Sequence, residues 1–232
     1  MPTAVITGAG SGIGLETITA FLNTESNTEV IAIVHSEADI VKLNQKFAQN
    51  SQLQVLCWDI VSGDSSIIKQ IIGSKTVDIL INNAGFLVNK PFTELSYADF
   101  LQAWEVNCWG SARVIQLLLP NLLQASHPHI IMIGSMGGIS GSVKFSGLAA
   151  YSSAKGALTI LTESLHYEYL QTNLTFNCLC FGAVQTKMLT KAFSDYQAPL
   201  RDSEAGLFVA NFAQTGYRYF RGKIIPVSTT TP

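Results

Sequence analysis

Tyr151 and Lys155 are the two residues whose types and spacing most clearly suggest chemistry, because they lie four positions apart in a run of small residues. In a helix, positions i and i+4 share one face, so the phenol and the ammonium would point into the same space. A nearby cation favours the phenolate and lowers the pKa of a tyrosine from its ordinary value of about 10. Such a tyrosine can act as a general acid or base near neutral pH. The spacing alone equally fits a surface helix with an ordinary tyrosine and lysine.

The glycine-rich segment from Thr7 to Gly14 is a second candidate site. It reads T-G-x-x-x-G-x-G, with a further glycine at position 10, and it joins the first predicted strand to the first predicted helix. Glycines allow a tight turn and let the backbone approach a pyrophosphate closely. The free N–H groups at the start of the helix favour phosphate. The segment therefore predicts a dinucleotide-binding loop, although a purely structural turn is the alternative.

The elements that must position these residues alternate between strand and helix. The predicted strands are Thr3–Thr7, Val30–Val34, Gln54–Trp58, Ile79–Ile81, His129–Gly134, Thr175–Cys180 and Lys223–Val227. The predicted helices are Gly12–Leu22, Glu37–Gln49, Ser65–Ile72, Tyr97–Leu118, Tyr151–Leu170 and Ser203–Gln214. Ser96 and Asp99 predict a capping box at the start of the fourth helix, and we expect Pro120 to follow its last turn.

The strands are mostly apolar at successive positions, which is typical of a parallel sheet covered by helices on both faces. The order of elements therefore predicts an α/β fold: one doubly wound domain over residues 1–232, with a sheet of about seven strands.

Composition narrows the classes of function. Apolar residues make up 47% of the 232 residues and charged residues 13%. This composition indicates a large core, and a buried subunit interface would also account for it. A net charge of −2 gives no electrostatic attraction to nucleic acid or to an anionic membrane. No apolar run reaches the roughly 20 residues that cross a bilayer, and a strand begins at Thr3, so we expect neither a membrane span nor a signal peptide.

The cysteines and histidines indicate neither a metal site nor disulfides. There are four of each, with no C-x-x-C pair, and the closest cysteines are Cys178 and Cys180. Free thiols suit a reducing compartment, so we expect a cytoplasmic protein without a bound metal.

Further motifs follow in a fixed order along the chain. Asp59 closes the third predicted strand, Asn82-Asn83-Ala84-Gly85 follows the fourth, and Ser135 follows the fifth. Asn107 lies in the fourth helix, and Gly182–Thr186 follows the sixth strand. Together with the glycine-rich loop and the Tyr-x-x-x-Lys pair, this ordered set resembles the short-chain dehydrogenase/reductase family, from Thr3 to about Met188. The resemblance implies a Rossmann-type fold that binds a nicotinamide dinucleotide.

The resemblance also implies a role for each catalytic residue. Tyr151 would exchange a proton with the substrate oxygen, and Ser135 would hydrogen-bond the same oxygen. Lys155 would lower the pKa of Tyr151 and hold the nicotinamide ribose, and Asn107 would bind a water that links Lys155 to solvent. The residues implied in cofactor binding are Gly8, Ser11, Gly12, Ile13, Gly14, His35, Ser36, Asp59, Ile60, Asn83, Ala84, Gly85, Tyr151, Lys155, Gly182, Val184 and Thr186.

The end of the second predicted strand bears on the choice of cofactor. Members that prefer NAD usually carry an acid there, whereas this chain continues from Val34 to His35 and Ser36. We therefore expect NADP(H) to be favoured, with NAD(H) possible.

Three departures from the family pattern concern the substrate. The segment from Ser135 to Tyr151 is about three residues longer than usual, around residues 143–145. Phe181 replaces a proline, and the terminal D-G-G is absent. We expect a substrate lid at about residues 186–204, for which Met188, Leu189 and Phe193 are candidate lining residues.

The leading hypothesis is a hydride transfer between the nicotinamide and a carbonyl or secondary alcohol. Alternatives are imine or enone reduction, epimerisation on the same fold, and a dinucleotide-binding sensor or scaffold without catalysis. An uncharged outer face on the Tyr151 helix (Ser153, Gly156, Ala157, Ile160, Ser164 and Tyr167) predicts a homodimer or homotetramer.

Overall fold

The computed structural model describes residues 1–23, 27–48 and 50–228. The strands are β1 (Thr3–Thr7), β2 (Glu29–Val34), β3 (Leu53–Cys57), β4 (Ile79–Asn82), β5 (His129–Ser135), β6 (Thr175–Phe181), β7 (Val184–Gln185), β8 (Leu200–Arg201) and β9 (Lys223–Val227). The helices are α1 (Gly12–Asn23), α2 (Glu37–Lys46), α3 (Ser65–Ile72), α4 (Tyr97–Trp104), α5 (Gly110–Leu122), α6 (Ala149–Glu168), α7 (Lys187–Ala192) and α8 (Asp202–Thr215).

Seven parallel strands form one sheet in the order β3-β2-β1-β4-β5-β6-β9. The chain runs outward from β1 in one direction as far as β3, then returns to β4 on the other side of β1. The carboxyl ends of β1 and β4 therefore flank the point at which the strand order reverses, which is where open α/β sheets bind ligands. The predicted doubly wound Rossmann-type fold is confirmed.

The core lies on both faces of this sheet because successive strand residues point in opposite directions. On one face, Ile6 and Ile81 pack with apolar residues of α1 and α8 such as Ile18 and Val209. On the other face, the adjacent strand residues Val5 and Leu80 pack with helices α3, α5 and α6. The buried residues of these helices include Ile72, Leu118 and Leu158. Burial on both faces explains the continuous apolar runs of the strands.

The predicted helix Tyr97–Leu118 is wrong in two respects. A π-helical turn over Glu105–Trp109 divides it into α4 and α5, and α5 continues to Leu122. Pro120 therefore lies inside the last turn of α5 rather than after it. The helix continues past this proline because Leu123 N–H still donates to Leu119 O. The capping box of Ser96 and Asp99 is confirmed.

The segment that is expected to form a substrate lid contains structure that the sequence did not predict. Strands β7 and β8 pair in parallel with each other, and α7 lies between them. Helix α2 ends at Lys46, whereas the predicted end, Gln49, lies outside the described residues.

Candidate active site

A cavity of about 330 Å³ opens at the carboxyl ends of the central strands. It extends from the glycine-rich loop to the start of α6 and the segment around α7. Fourteen residues of the predicted sites line it: Gly8, Ser11, Gly12, Ile13, His35, Asn83, Ala84, Gly85, Ser135, Tyr151, Lys155, Gly182, Val184 and Thr186. Five others do not: Gly14, Ser36, Asp59, Ile60 and Asn107.

The glycine-rich loop is held against the segment after β4 by Asn83. Its side-chain Nδ2 donates to Thr7 O and Gly8 O, each over 3.0 Å, while its backbone N–H donates to Thr7 Oγ1 over 3.0 Å. A Cβ on Gly8, whose φ is +64°, would lie 2.6 Å from Ala84 Cα. A Cβ on Gly14 would lie 2.5 Å from Asn83 Nδ2. Gly14 therefore allows Asn83 to pack closely beneath the loop. The glycine-rich loop and the segment after β4 together form one narrow cradle at the start of α1.

This cradle fits the diphosphate of a dinucleotide. The loop backbone faces the cavity at Gly8, Gly10, Ser11 and Gly12, without side chains at the three glycines. Helix α1 begins at Gly12 and has no acidic residue in its first turn, so no side chain of the helix itself competes with a phosphate for its free N–H groups.

Asp39 is a residue at this end of the cavity that the sequence reasoning missed. It lines the cavity beside His35, and a Cβ on Gly10 would lie 2.5 Å from Asp39 Cγ. Ser36 caps α2 through the same residue, because Ser36 Oγ accepts from Asp39 N–H and donates to Asp39 Oδ2. Lys42 reaches the same loop and donates to Gly10 O over 2.6 Å. The end of β2 itself carries no acid, as expected, but the first turn of α2 brings the Asp39 carboxylate back to the loop.

Asp59 and Ile60 lie beside the cavity in a well-anchored turn. Asp59 accepts from Val61 N–H over 2.8 Å and from Ser62 Oγ over 2.7 Å, and these bonds lower its pKa despite partial burial. Arg113 of α5 donates to Ile60 O over 3.0 Å and to Asp59 O over 3.3 Å, and it lies 4.8 Å from the centre of the Trp58 ring. Their role in cofactor binding stays a prediction.

Ser135, Tyr151 and Lys155 meet at one wall of the cavity. Ser135 ends β5, and the other two residues lie one turn apart near the start of α6. Lys155 is buried, its Nζ donates to Ile133 O over 2.7 Å, and it lies 5.9 Å from the centre of the Tyr151 ring. The predicted sharing of one helix face is confirmed.

The pKa of Tyr151 shifts in the direction opposite to the expected one. Desolvation by the surrounding protein raises it to about 12, and hydrogen bonding with Ser135 only partly offsets this. Burial likewise lowers the pKa of Lys155 to about 8. The reason is that both groups lie in the protein interior, where each charged form is disfavoured. At neutral pH the phenol therefore keeps its proton and can donate it.

Asn107 lies in the π-helical turn, fully buried, behind the wall of Ser135, Tyr151 and Lys155 rather than on it. Its Nδ2 donates to Phe86 O over 2.7 Å and to Ala103 O over 2.8 Å, and its Oδ1 accepts from Phe86 N–H over 3.1 Å. Both amide hydrogens are thus used by backbone carbonyls. The water bridge from Asn107 to Lys155 stays a prediction. The two amide hydrogens of Asn107 are not free to donate to that water.

Two buried thiols lie directly behind the wall. Cys178 and Cys180 of β6 have sulfurs 3.6 Å apart, and a Cβ on Gly134 would lie 2.6 and 2.7 Å from them. Gly134 therefore leaves room for this thiol pair because it has no side chain. Its two neighbours in β5 are Ile133, whose carbonyl accepts from Lys155, and Ser135. All four cysteines are free.

Part of the remaining lining of the cavity comes from three segments around its mouth. It is mostly apolar: Leu87 before α4; Val143, Phe145 and Leu148 before α6; and Met188, Leu189, Phe193 and Tyr196 in and after α7. Met188, Leu189 and Phe193 are the lid residues proposed from sequence. Tyr196, Leu148 and Leu87 were missed, because nothing in their local sequence distinguishes a cavity wall from core.

Two negative findings apply to the part of the chain that the structure describes. It contains no helix of the length and apolar character required to cross a membrane. It brings no three His, Cys, Asp or Glu side chains together in an arrangement that could hold a metal ion.

The chain is similar in sequence and in fold to proteins of a known family. A sequence profile of the family described as short chain dehydrogenase matches residues 2–197. Carbonyl reductase [NADPH] 2 of Sus scrofa is 31% identical over 194 residues, covering 83% of this chain and 75% of that protein. Among solved structures, 3-ketoacyl-(acyl-carrier-protein) reductase from Brucella melitensis, complexed with NADH, has a TM-score of 0.86 at 21% identity and covers 98% of this chain and 96% of its own.

A putative NAD(P) dependent gluconate 5-dehydrogenase from Beutenbergia cavernae, solved with NADP, has a TM-score of 0.85 at 22% identity and covers 98% and 95% of the two chains. At these identities the solved structures support the fold, whereas the profile and the pig protein support the family. The chain belongs to the short chain dehydrogenase family.

Proposed function

We propose that this chain reduces a carbonyl compound to an alcohol, with Tyr151 as the general acid. The observation that carries the proposal is the convergence of Ser135, Tyr151 and Lys155 on the cavity that begins at the glycine-rich loop. A bound nicotinamide supplies the hydride. Tyr151 donates its phenolic proton to the carbonyl oxygen. Its raised pKa keeps the phenol protonated at neutral pH, and a neighbouring cation must ease the loss of that proton, because a general acid works best when its pKa lies near the operating pH. Ser135 hydrogen-bonds the same oxygen as negative charge develops there.

Lys155 supports this step in two ways. It is the buried cation nearest to Tyr151, and it is held in place by Ile133 O. A positive charge at this distance stabilises the phenolate that remains after the proton has left. With a pKa of about 8 it is mostly charged at neutral pH.

We propose NADPH as the preferred cofactor. His35 lines the cavity at the end of β2, where an acid typical of NAD-binding members is missing, and Lys42 lies against the loop. The pig relative is named as an NADPH enzyme. Asp39 acts against this preference because its carboxylate lies near the site where a 2′-phosphate would bind.

We also propose a homo-oligomer in the cytoplasm. The outer face of α6 leaves Ile160 and Tyr167 exposed by 62% and 73%, with small uncharged residues and the exposed Glu163 around them. Light scattering should show a dimer or tetramer at micromolar concentration; a monomer alone would refute the assembly.

The decisive test of the reaction is Tyr151→Phe, assayed with NADPH on a panel of aldehydes and ketones. We expect a loss of turnover of about 10²-fold or more, while NADPH binding, followed by quenching of tryptophan fluorescence, is nearly unchanged. Tyr167→Phe is the matched control, since it removes an exposed hydroxyl on the same helix. Full activity of Tyr151→Phe would refute the assigned role, and absence of turnover in the unaltered protein with intact NADPH binding would favour a sensor.

A further inference from the structure

Three aromatic rings meet over the mouth of the cavity. The ring of Phe145 lies 5.8 Å from that of Phe193 at an interplanar angle of 48°, and 6.1 Å from that of Tyr196 at 77°. These tilted and edge-on arrangements are the ones that aromatic rings prefer. Phe145 belongs to the segment that is longer than usual in the family, and the other two belong to the lid segment. We call these three residues the aromatic clamp.

Hydrogen bonds tie together the segments that carry the clamp. Asn89 Nδ2 donates to Ala192 O over 2.8 Å, which fastens the segment after β4 to the end of α7. Lys90 N–H donates to Gly147 O over 3.1 Å, which fastens the same segment to the loop that carries Phe145. Gly147 has a φ of +84°, and a Cβ there would lie 1.9 Å from Asn89 Oδ1. Asn89 therefore bridges both sides of the mouth through a contact that only glycine allows at position 147.

No charged side chain of the described residues lines the cavity on the side of the clamp. The charged or titratable side chains that do line it are Lys155 beside Ser135 and Tyr151, and His35 and Asp39 beside the glycine-rich loop, apart from the phenols of Tyr151 and Tyr196. Lys144, next to Phe145, is bound to its own loop, because its Nζ donates to Ile139 O over 2.6 Å and to Ser142 O over 2.8 Å. A carboxylate or phosphate that entered at the clamp would lose its hydration without gaining a partner.

We infer that the aromatic clamp selects an uncharged carbonyl compound with an apolar ring next to the carbonyl, and that Phe145 is the main specificity-determining residue. This inference rests on the proposed reduction and adds its substrate class. The ring of the substrate packs against Phe145, Phe193 and Tyr196 with its carbonyl directed to the wall of Ser135 and Tyr151. Asn89 acts as a positioning residue that holds the two halves of the clamp together.

The test compares three ketones in the presence of the cofactor: acetophenone, its charged analogue 4-acetylbenzoate, and the small aliphatic 2-butanone. In the unaltered protein, kcat/KM with NADPH should be at least about tenfold higher for acetophenone than for either of the others. In Phe145→Ala, kcat/KM for acetophenone should fall about tenfold or more while that for 2-butanone changes less than about threefold. Phe145→Leu keeps apolar area but loses the ring. Its kcat/KM for acetophenone should therefore lie between the values for the unaltered protein and for Phe145→Ala.

Binding of the same three ketones to the NADP-loaded protein, measured by calorimetry, separates the two proposals. A binding preference for acetophenone without turnover of any ketone would overturn the proposed reduction and leave the clamp in place. Turnover without a preference for acetophenone, or equal losses for all three ketones in Phe145→Ala, would overturn the clamp. Phe92→Ala is the matched control because Phe92 is 73% exposed and does not line the cavity, and NADPH binding confirms that each variant is folded.

Discussion

Asn107 and Phe86 are joined by two hydrogen bonds that run in opposite directions. Asn107 Nδ2 donates to Phe86 O over 2.7 Å, and Phe86 N–H donates to Asn107 Oδ1 over 3.1 Å. The π-helical turn places this amide beside the segment that follows β4, close to Gly85 and Lys155, since a Cβ on Gly85 would lie 3.1 Å from Asn107 Oδ1 and 3.8 Å from Lys155 Nζ. Asn107 therefore fixes the cavity floor through the backbone, as π-helical turns often do at functional sites.

Asn107→Asp should destabilise the fold because a carboxylate would face two backbone carbonyls in place of the amide donor. We expect the free energy of unfolding to fall by about 2–3 kcal/mol, measured by urea denaturation. Asn44→Asp is the control, since Asn44 is exposed on α2. Unchanged stability with lost activity would instead assign Asn107 to the chemistry.

Asp39→Asn should increase the affinity for NADPH relative to NADH. The substitution removes a negative charge from the cavity beside Gly10, while the asparagine oxygen can still accept from Ser36 Oγ. The dissociation constant for NADPH should fall about threefold or more at low salt, with a smaller effect at high salt because of screening. Glu37→Gln, an exposed neighbour in the same turn that does not line the cavity, is the control. An unchanged ratio of the two affinities would contradict a role of Asp39 in cofactor choice.

Lys155→Met should abolish turnover and yet stabilise the protein at pH 7. Burial lowers the pKa of Lys155 from 10.5 to about 8, so between these values the unfolded chain binds more protons and stability rises with pH. At pH 7 the buried ammonium costs roughly 3 kcal/mol, partly offset by its bond to Ile133 O. We expect a gain of about 1–3 kcal/mol at pH 7 that shrinks towards pH 10, with Lys69→Met on the exposed side of α3 as the control. A gain that does not depend on pH would contradict this explanation.

His129 should make stability fall in mild acid. Its Nε2 accepts from Asn177 Nδ2 over 3.0 Å, and its Nδ1 donates to Ala213 O over 3.1 Å, so the ring is neutral. Burial lowers its pKa from 6.5 to about 4, and the unfolded state therefore binds the extra proton as pH falls through this range. The free energy of unfolding should fall by roughly 3 kcal/mol between pH 6.5 and pH 4.

Urea denaturation at several pH values tests this assignment with His129→Gln. The variant should be less stable at pH 7 and show a shallower dependence below pH 6.5. His127→Gln should keep the dependence of the unaltered protein because His127 is exposed. Identical slopes in all three proteins would show that other groups cause the loss.

The sequence determined the elements whose signals are local. The strands Thr3–Thr7 and Lys223–Val227 were predicted with the bounds that the structure shows, since each is a short apolar run with clear ends. The shared face of Tyr151 and Lys155 follows from helical periodicity alone. The glycine-rich turn could also be located from the sequence. Its glycines allow the backbone conformation of a tight turn, and the whole signal lies within eight consecutive residues.

Only the tertiary structure decided the features that depend on distant contacts or on burial. The division of α4 from α5 leaves no local signal, and Asp39 reaches Gly10 only because α2 folds back across the loop. Phe145 meets Phe193 and Tyr196 across about fifty residues of chain, a pairing that no periodicity encodes. The pKa of Tyr151 depends on how deeply the protein covers it, and for that reason its direction was predicted wrongly from the spacing of Tyr151 and Lys155.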